Sequence, residues 1–178
     1  MSSLKVPVTS ADHSEGPENA PLTLVEYGDY QCPGCGQANP IVKQIQKHFG
    51  KRLRFVFRNF PLNESHPEAE SAAETAEFAG AQGKFWQMHD ALYENQDQLG
   101  LELYRTLAKE FGLSGPDLDA SLTAGTYRGR VRADFSSGVR SDVNATPTFY
   151  INGIRYDASF DFETLSAALQ HAIEVAKM

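Results

Sequence analysis

Two cysteines, and no others, occur in this chain of 178 residues, and they stand three positions apart in Cys32-Pro33-Gly34-Cys35. A bridge across so short a loop restrains the unfolded chain very little, so the pair is poorly explained as a structural staple. A chain of this length can also bury a hydrophobic core without one. The pair therefore calls for a chemical explanation, and the flanking sequence must place both sulfurs accordingly. Upstream, Leu22-Thr-Leu-Val-Glu-Tyr27 is short, apolar and partly β-branched, and it stops at Gly28-Asp29, which predicts a buried strand. Downstream, Ile41, Val42, Ile45 and Phe49 recur at helical spacing, with Gly50 placed to end the helix. Cys32 then falls at or just before a helix N-terminus.

That position favours a reactive sulfur. The thiolate is the nucleophilic form of cysteine, and unpaired N–H groups together with the positive end of the helix dipole stabilise an anion placed there. Pro33 suits the first helical position because it lacks only an N–H that has no partner anyway. Cys32 is thus the candidate nucleophile. Cys35, one turn further in, is suited to attack a mixed disulfide formed on Cys32. The competing reading of Cys-x-x-Cys is half of a zinc site, which needs four ligands. No second cysteine pair exists, and His13, His48, His66, His89 and His171 lack ligand spacing, so no metal is expected.

Glu26 is the one carboxylate in an otherwise apolar strand, in the alternation class of Leu22 and Leu24. Buried there, it would have a raised pKa and could carry the proton of Cys35; turned to solvent at the strand end, it would be an ordinary surface glutamate.

The rest of the chain extends a strand-helix-strand beginning. Residues 1–21 are polar and contain Pro7, Gly16, Pro17 and Pro21, which suggests an extended lead-in or a short edge strand near Val6 and Val8. Leu53-Arg-Phe-Val-Phe-Arg58 alternates at period two and predicts a second strand, joined to the first by a parallel crossover. From residue 66 to about 142 apolar positions repeat at three and four, as in Phe85, Met88 and Leu92, predicting four or five helices. Phe85, Trp86 and Met88 read as packing residues. Thr148-Phe-Tyr-Ile151, Asn152-Gly153 and Ile154-Arg-Tyr156 carry the strongest hairpin signal in the chain. Phe162 to Ala176 reads as a closing amphipathic helix capped by Ser159 or Asp161.

Charge narrows the partners. With 16 basic and 23 acidic side chains the formal charge is −7, which argues against nucleic acid or an anionic membrane as the main partner. No apolar run approaches the roughly 18 residues of a membrane span, and Met1-Ser-Ser-Leu-Lys-Val-Pro7 has no signal core. The chain as written is expected in the cytoplasm; a trimmed leader would make it periplasmic or extracytoplasmic.

Taken together, Glu26 to Cys35, Phe57-Arg-Asn-Phe-Pro-Leu62, His66-Pro67, Gly83-Lys-Phe-Trp-Gln-Met-His89 and Ala145-Thr-Pro-Thr-Phe-Tyr-Ile-Asn-Gly153 resemble the DsbA-type thiol-disulfide oxidoreductases of the thioredoxin superfamily. The resemblance covers roughly residues 16–176. It implies an α/β thioredoxin fold with an all-helical insertion: 1–65 as the first part of the thioredoxin domain, 66–142 as the insertion, and 143–178 as the remainder. It implies that Pro147 is cis, beside the cysteines, so that the Thr146 backbone pairs with an extended substrate, and that Glu26 is the family's buried acid. Pro40 lies where thioredoxin-like helices often kink.

The departure from the strongly oxidising members lies in Pro33-Gly34, which brings no histidine to the thiolate. A Cys32 pKa that is depressed, but less so than the 3.5 or so of DsbA, is expected. The implied activity is exchange of the Cys32/Cys35 disulfide with protein or peptide thiols. No organic cofactor is needed; the redox partner is a small thiol, a thioredoxin-like protein or a membrane oxidant. A monomer is expected, and isomerase activity is less favoured, because in related bacterial proteins it tends to accompany an added dimerisation domain that residues 1–21 are too few to build. Two other readings stay open: a peptide-binding or chaperone-like module, and a glutathione-dependent reductase or transferase on the same fold.

Overall fold

The computed structural model describes residues 2–178. At its centre is a five-stranded mixed sheet built from β1 (His13–Glu15), β2 (Leu22–Gly28), β3 (Leu53–Asn59), β4 (Thr148–Ile151) and β5 (Ile154–Tyr156), in the order β1-β3-β2-β4-β5. β2 and β3 run parallel, with Leu24 opposite Phe55 and Glu26 opposite Phe57. Every other pairing is antiparallel. The parallel pair needs a crossover, and α1 (Pro33–Phe49) supplies it. Five helices separate β3 from β4: α2 (Ala69–Gly80), α3 (Phe85–Glu94), α4 (Leu101–Glu110), α5 (Gly115–Ala124) and α6 (Arg128–Arg140). The chain closes with α7 (Phe162–Ala176), whose N-cap is Asp161, accepting from Thr164 N at 2.9 Å.

Period-two alternation on β2 sorts the core into two faces. Leu22 and Leu24 face the cluster that holds Cys35, Ala38, Val42, Ile45 and Phe49 of α1 and Leu165, Leu169 and Ile173 of α7. The same cluster continues without a break into Ala72, Ala76 and Ala79 of α2 and Met88 and Leu92 of α3, so the inserted helices share the core of the sheet. Each fully buried leucine in it is worth about 1.5–3 kcal/mol. Val25 and Tyr27 point the other way, to a second cluster with Val56, Tyr150 and Phe60, covered by Val8, Leu62 and Phe135.

Of the two readings of the N-terminal segment, the lead-in is the one found. No strand forms at Val6 and Val8; the edge strand is His13–Glu15 instead, and Ser3 makes only an isolated bridge to Ile154. Pro7 has no N–H to give to a ladder. The carbonyls of Val6 and Pro7 go to the Arg58 guanidinium at 2.9 and 3.1 Å, while Asp12 pairs with Arg58 Nε at 2.8 Å. This segment therefore crosses the second face of the sheet as a strap, with Val8 packed beneath it.

The hairpin turn follows from its residues. Asn152 and Gly153 both have positive φ, 49° and 84°, as the tight turn between β4 and β5 demands. Asn152 also exchanges bonds with Thr23, its N–H reaching Thr23 O at 2.9 Å and its Oδ1 accepting from Thr23 N at 2.8 Å. This ties the hairpin to β2 and brings the segment before β4 alongside the start of α1.

Candidate active site

Cys32 is the N-cap of α1, with extended backbone angles of φ −70° and ψ 123°, and Pro33 opens the first turn. The thiol is 7% exposed, whereas Cys35 is fully buried. Both are free thiols. Protonated, Cys32 Sγ donates to the Thr146 carbonyl at 3.4 Å. Ionised, it accepts from Cys35, and that hydrogen bond is the main reason the Cys32 thiol is pulled down to about 5. Burial opposes the shift, while the polar Thr146 side chain and the N–H groups of Cys35 and Gly34 add to it.

The second sulfur behaves in the opposite sense. Burial pushes the Cys35 thiol well above its ordinary value, and the hydrogen bond it gives to Cys32 and the nearby charge of Glu26 push it further; the Asp29 N–H, 3.5 Å from Cys35 Sγ, pulls the other way. The result is a pair split into one sulfur readily held as an anion and one held as a thiol.

Glu26 is 2% exposed, and its Oε2 has no hydrogen-bond partner within the protein. Burial, followed by the negative charge of Cys32, raises its pKa to about 8. The lone carboxylate of β2 thus lies inside, on the cysteine side of the sheet, rather than in solvent. Gly28 leaves it room: a Cβ there would lie 2.9 Å from Glu26 Oε2 and 2.5 Å from Phe57 Cε1.

The Thr146–Pro147 peptide bond is cis, and Pro147 borders the dipeptide. A Cβ on Gly34 would sit 3.3 Å from Pro147 Cδ, 3.7 Å from Thr146 O and 3.8 Å from Cys32 Sγ. Cys32, Pro33, Gly34, Cys35, Glu26, Thr146 and Pro147 are therefore one neighbourhood, assembled from β2, the start of α1 and the segment before β4.

Four other residues shape this neighbourhood that the linear sequence did not single out. Asp29 is buried; its Oδ1 accepts from Gln31 N at 2.7 Å, and its Oδ2 accepts from Leu62 N at 2.9 Å and lies 2.7 Å from His66 Nδ1. Tyr30 bonds His89 Nδ1 at 2.8 Å, and burial keeps that imidazole neutral by lowering its pKa far below the ordinary range. Gln96, on the short 3-10 turn Gln96–Gln98, donates Nε2 to the carbonyls of Tyr30 and Cys32 at 2.9 and 2.7 Å. An aspartate just after a strand, able to accept from the N–H two residues on, was a readable turn signal; Tyr30, His89 and Gln96 carry none. Phe85, Trp86 and Met88 lie in the core, with Trp86 against Phe55 at 5.7 Å. Among the described residues no group of three or more His, Cys, Asp or Glu is arranged to hold a metal ion.

Comparison with known proteins agrees with this geometry. A family model described as thioredoxin matches residues 9–171. Oxidised BdbD from Bacillus subtilis superposes with a TM-score of 0.87 at 25% identity, covering 97% of this chain and 98% of that one. The α-DsbA1 protein of Wolbachia pipientis superposes at 0.84, with 17% identity over 98% and 96% of the two chains. In sequence, the chain is 40% identical over 98% of its length to a Salinispora tropica protein named Na(+)/H(+) antiporter NhaA 3, but it spans only 27% of that protein. With a thioredoxin model over nearly its whole length and BdbD matching it end to end, the chain belongs to the thioredoxin family.

Proposed function

We propose that Cys32 is the sulfur that meets substrate, that Cys35 resolves, and that the protein acts mainly as a disulfide donor of intermediate strength. The observation that carries this is the split pair, with Cys32 drawn down to about 5 while Cys35 is pushed well up. A stabilised Cys32 thiolate stabilises the reduced protein, and a stabilised reduced form makes the disulfide a better oxidant. A value near 5 lies between the 7 or so of thioredoxin and the 3.5 or so of DsbA.

A substrate thiolate attacks Cys32 Sγ of the oxidised pair; the new mixed disulfide forms as the Cys32–Cys35 bond breaks, and Cys35 leaves with the electron pair. Cys35 is the poorer leaving group and needs a proton, which Glu26, its pKa raised by burial, supplies. A second substrate thiolate then attacks its own sulfur in the mixed disulfide, forming the substrate disulfide and releasing Cys32 as a thiolate. The low pKa of Cys32 makes this departure fast. Run backwards, Glu26 takes the Cys35 proton and Cys35 expels the substrate. The Thr146 backbone beside Pro147 is the natural place for an extended peptide carrying the reacting cysteine.

Substrates on this reading are cysteine-bearing proteins or peptides, and a second redox protein or membrane oxidant takes the electrons away. An oxidising compartment outside the cytoplasm suits a donor of this strength. The helices between residues 66 and 142 act as an insertion that covers the pair. The antiporter names describe proteins nearly four times as long. No helix of the described residues is long and apolar enough to cross a membrane, so we read the matched quarter as their thiol-disulfide part and not as the part that moves ions.

The test is the equilibrium of the Cys32/Cys35 pair in glutathione buffers. A potential between about −270 mV, as in thioredoxin, and about −120 mV, as in DsbA, supports the reading. Retention of exchange activity by Cys32→Ser would overturn it and favour a binding module whose cysteines are incidental.

A further inference from the structure

Gln96 stands in the helical region, more than 60 residues from the cysteines in sequence, yet one amide nitrogen of its side chain serves two carbonyls flanking Gln31, those of Tyr30 and Cys32. Its other end explains a second feature. Gly36 lies inside α1 at a position where any residue could be helical, but a Cβ there would sit 2.4 Å from Gln96 Oε1 and 3.0 Å from Gln96 Cδ. The glycine is therefore a recess for the amide. Donor contacts on one side and a missing side chain on the other hold the Gln96 head group against the first turn of α1.

We propose that Gln96 is a positioning residue for thiol-disulfide exchange, holding the Tyr30–Cys32 backbone so that Cys32 Sγ stays aligned with the open N–H groups of α1. This rests on Cys32 being the attacking sulfur. The Cys32 carbonyl also accepts from Gly36 N at 3.1 Å, so Gln96 grips the same peptide that starts the helix ladder. The carbonyl oxygens it holds carry partial negative charge, and keeping them directed at a donor keeps them from turning toward the thiolate. The helical region thereby becomes part of the device that prepares the sulfur, not merely a cover over it.

Gln96→Met keeps length and packing and removes both donors; Gly36→Ala leaves Gln96 in place and fills its recess. For wild type, each variant and the double variant, thiolate absorbance of Cys32 is titrated against pH, the equilibrium constant with glutathione is measured, and the melting temperature is recorded. The expected result is a rise of the Cys32 midpoint by about one pH unit and an approximately tenfold shift of the glutathione equilibrium toward retained disulfide in either single variant. The double variant should go no further than the singles, because all three break one contact. A midpoint and equilibrium unchanged in both single variants, with only the melting temperature lowered, overturns the proposal and leaves Gln96 structural. Failure of the underlying reading is distinguishable, since it shows in the wild type as an undepressed midpoint together with exchange that survives Cys32→Ser. Should Gln96→Met not fold, Gly36→Ala alone still decides between these outcomes.

Discussion

Asp29 reaches Cys35 through its main chain, N–H to Sγ at 3.5 Å, while its buried side chain collects the N–H groups of Gln31 and Leu62. One residue thus joins the buried sulfur, the loop before the reactive one, and the segment after β3. Removing the carboxylate strands the Gln31 and Leu62 donors, each worth roughly 1–3 kcal/mol when left unpaired and out of water. Asp29→Ala is expected to lower stability by roughly 2–4 kcal/mol in urea denaturation, and Asp29→Asn, which keeps one acceptor, by less. A loss under 1 kcal/mol for the alanine variant would mean that water replaces the carboxylate.

Glu26 makes the oxidised protein less stable as pH rises. Its folded pKa is about 8 in the reduced protein, and burial, the larger cause, persists when the disulfide forms while the Cys32 charge does not, so in the oxidised form it stays above the ordinary value near 4.3 and the folded form holds a proton that the unfolded form has lost. The stability attached to it is full below about pH 4 and is lost as pH climbs through the raised folded value. Glu26→Gln removes this dependence, and at pH 7.5 it should be more stable than wild type by roughly 1–3 kcal/mol, the buried amide subtracting part of the gain. At pH 4, where wild-type Glu26 is protonated, the variant should be the less stable of the two by the cost of the buried amide alone. The same variant should release a mixed-disulfide substrate up to about a hundredfold more slowly. A wild-type stability flat from pH 4 to 8 in the oxidised form contradicts the burial argument.

Cys32 works in the other direction and only when reduced. Its folded pKa of about 5 lies below the unfolded value near 8.5, so its contribution is fully present above 8.5 and is lost as pH falls through 5. Between pH 5 and pH 8 the stability of the reduced protein relative to the oxidised should therefore improve by roughly 1–2 kcal/mol. That figure is discounted for the solvent that reaches Cys32 and for the share of the gain offset where the same thiolate raises Glu26. Parallel urea curves of the two forms at both pH values measure it, and an unchanged gap would show that Cys32 is an ordinary thiol.

What could be read along the chain was whatever the chemistry places in one run. Cys32 to Cys35, the strand before them, the helix after them and the Asn152-Gly153 hairpin each carry their signal within a few residues. What could not be read is what folding brings together. Gln96 is an unremarked polar residue until the short turn after α3 delivers it to the Cys32 carbonyl, and His89 is one of five scattered histidines until it meets the Tyr30 hydroxyl. Val6 and Val8 carried an alternation suited to a strand, but the true edge strand is polar. His13 stacks on Phe85 at 3.6 Å and bonds Glu77, and Glu15 accepts from Gln46, so β1 is held by partners with no periodicity of their own.

The dipeptide between the cysteines offers the sharpest handle on strength as an oxidant. A Cβ on Gly34 would lie 3.8 Å from Cys32 Sγ, with Pro147 Cδ at 3.3 Å as the nearest obstacle, a contact that a few tenths of an ångström of movement relieves. A side chain at this position therefore starts beside the thiolate. In Gly34→His the imidazolium adds an attraction that wild type lacks, and it acts only on the ionised sulfur. The Cys32 midpoint should fall from about 5 by roughly one unit, and since about 30 mV corresponds to a tenfold change for a two-electron couple, the pair should become more oxidising by roughly 30 mV. The effect should fade above pH 7 as the imidazole loses its proton, whereas a shift caused by loop distortion would persist there. Thiolate titration and glutathione equilibria at pH 6 and pH 8 separate the two, and a midpoint that rises at pH 6 would show that the histidine points away from the sulfur.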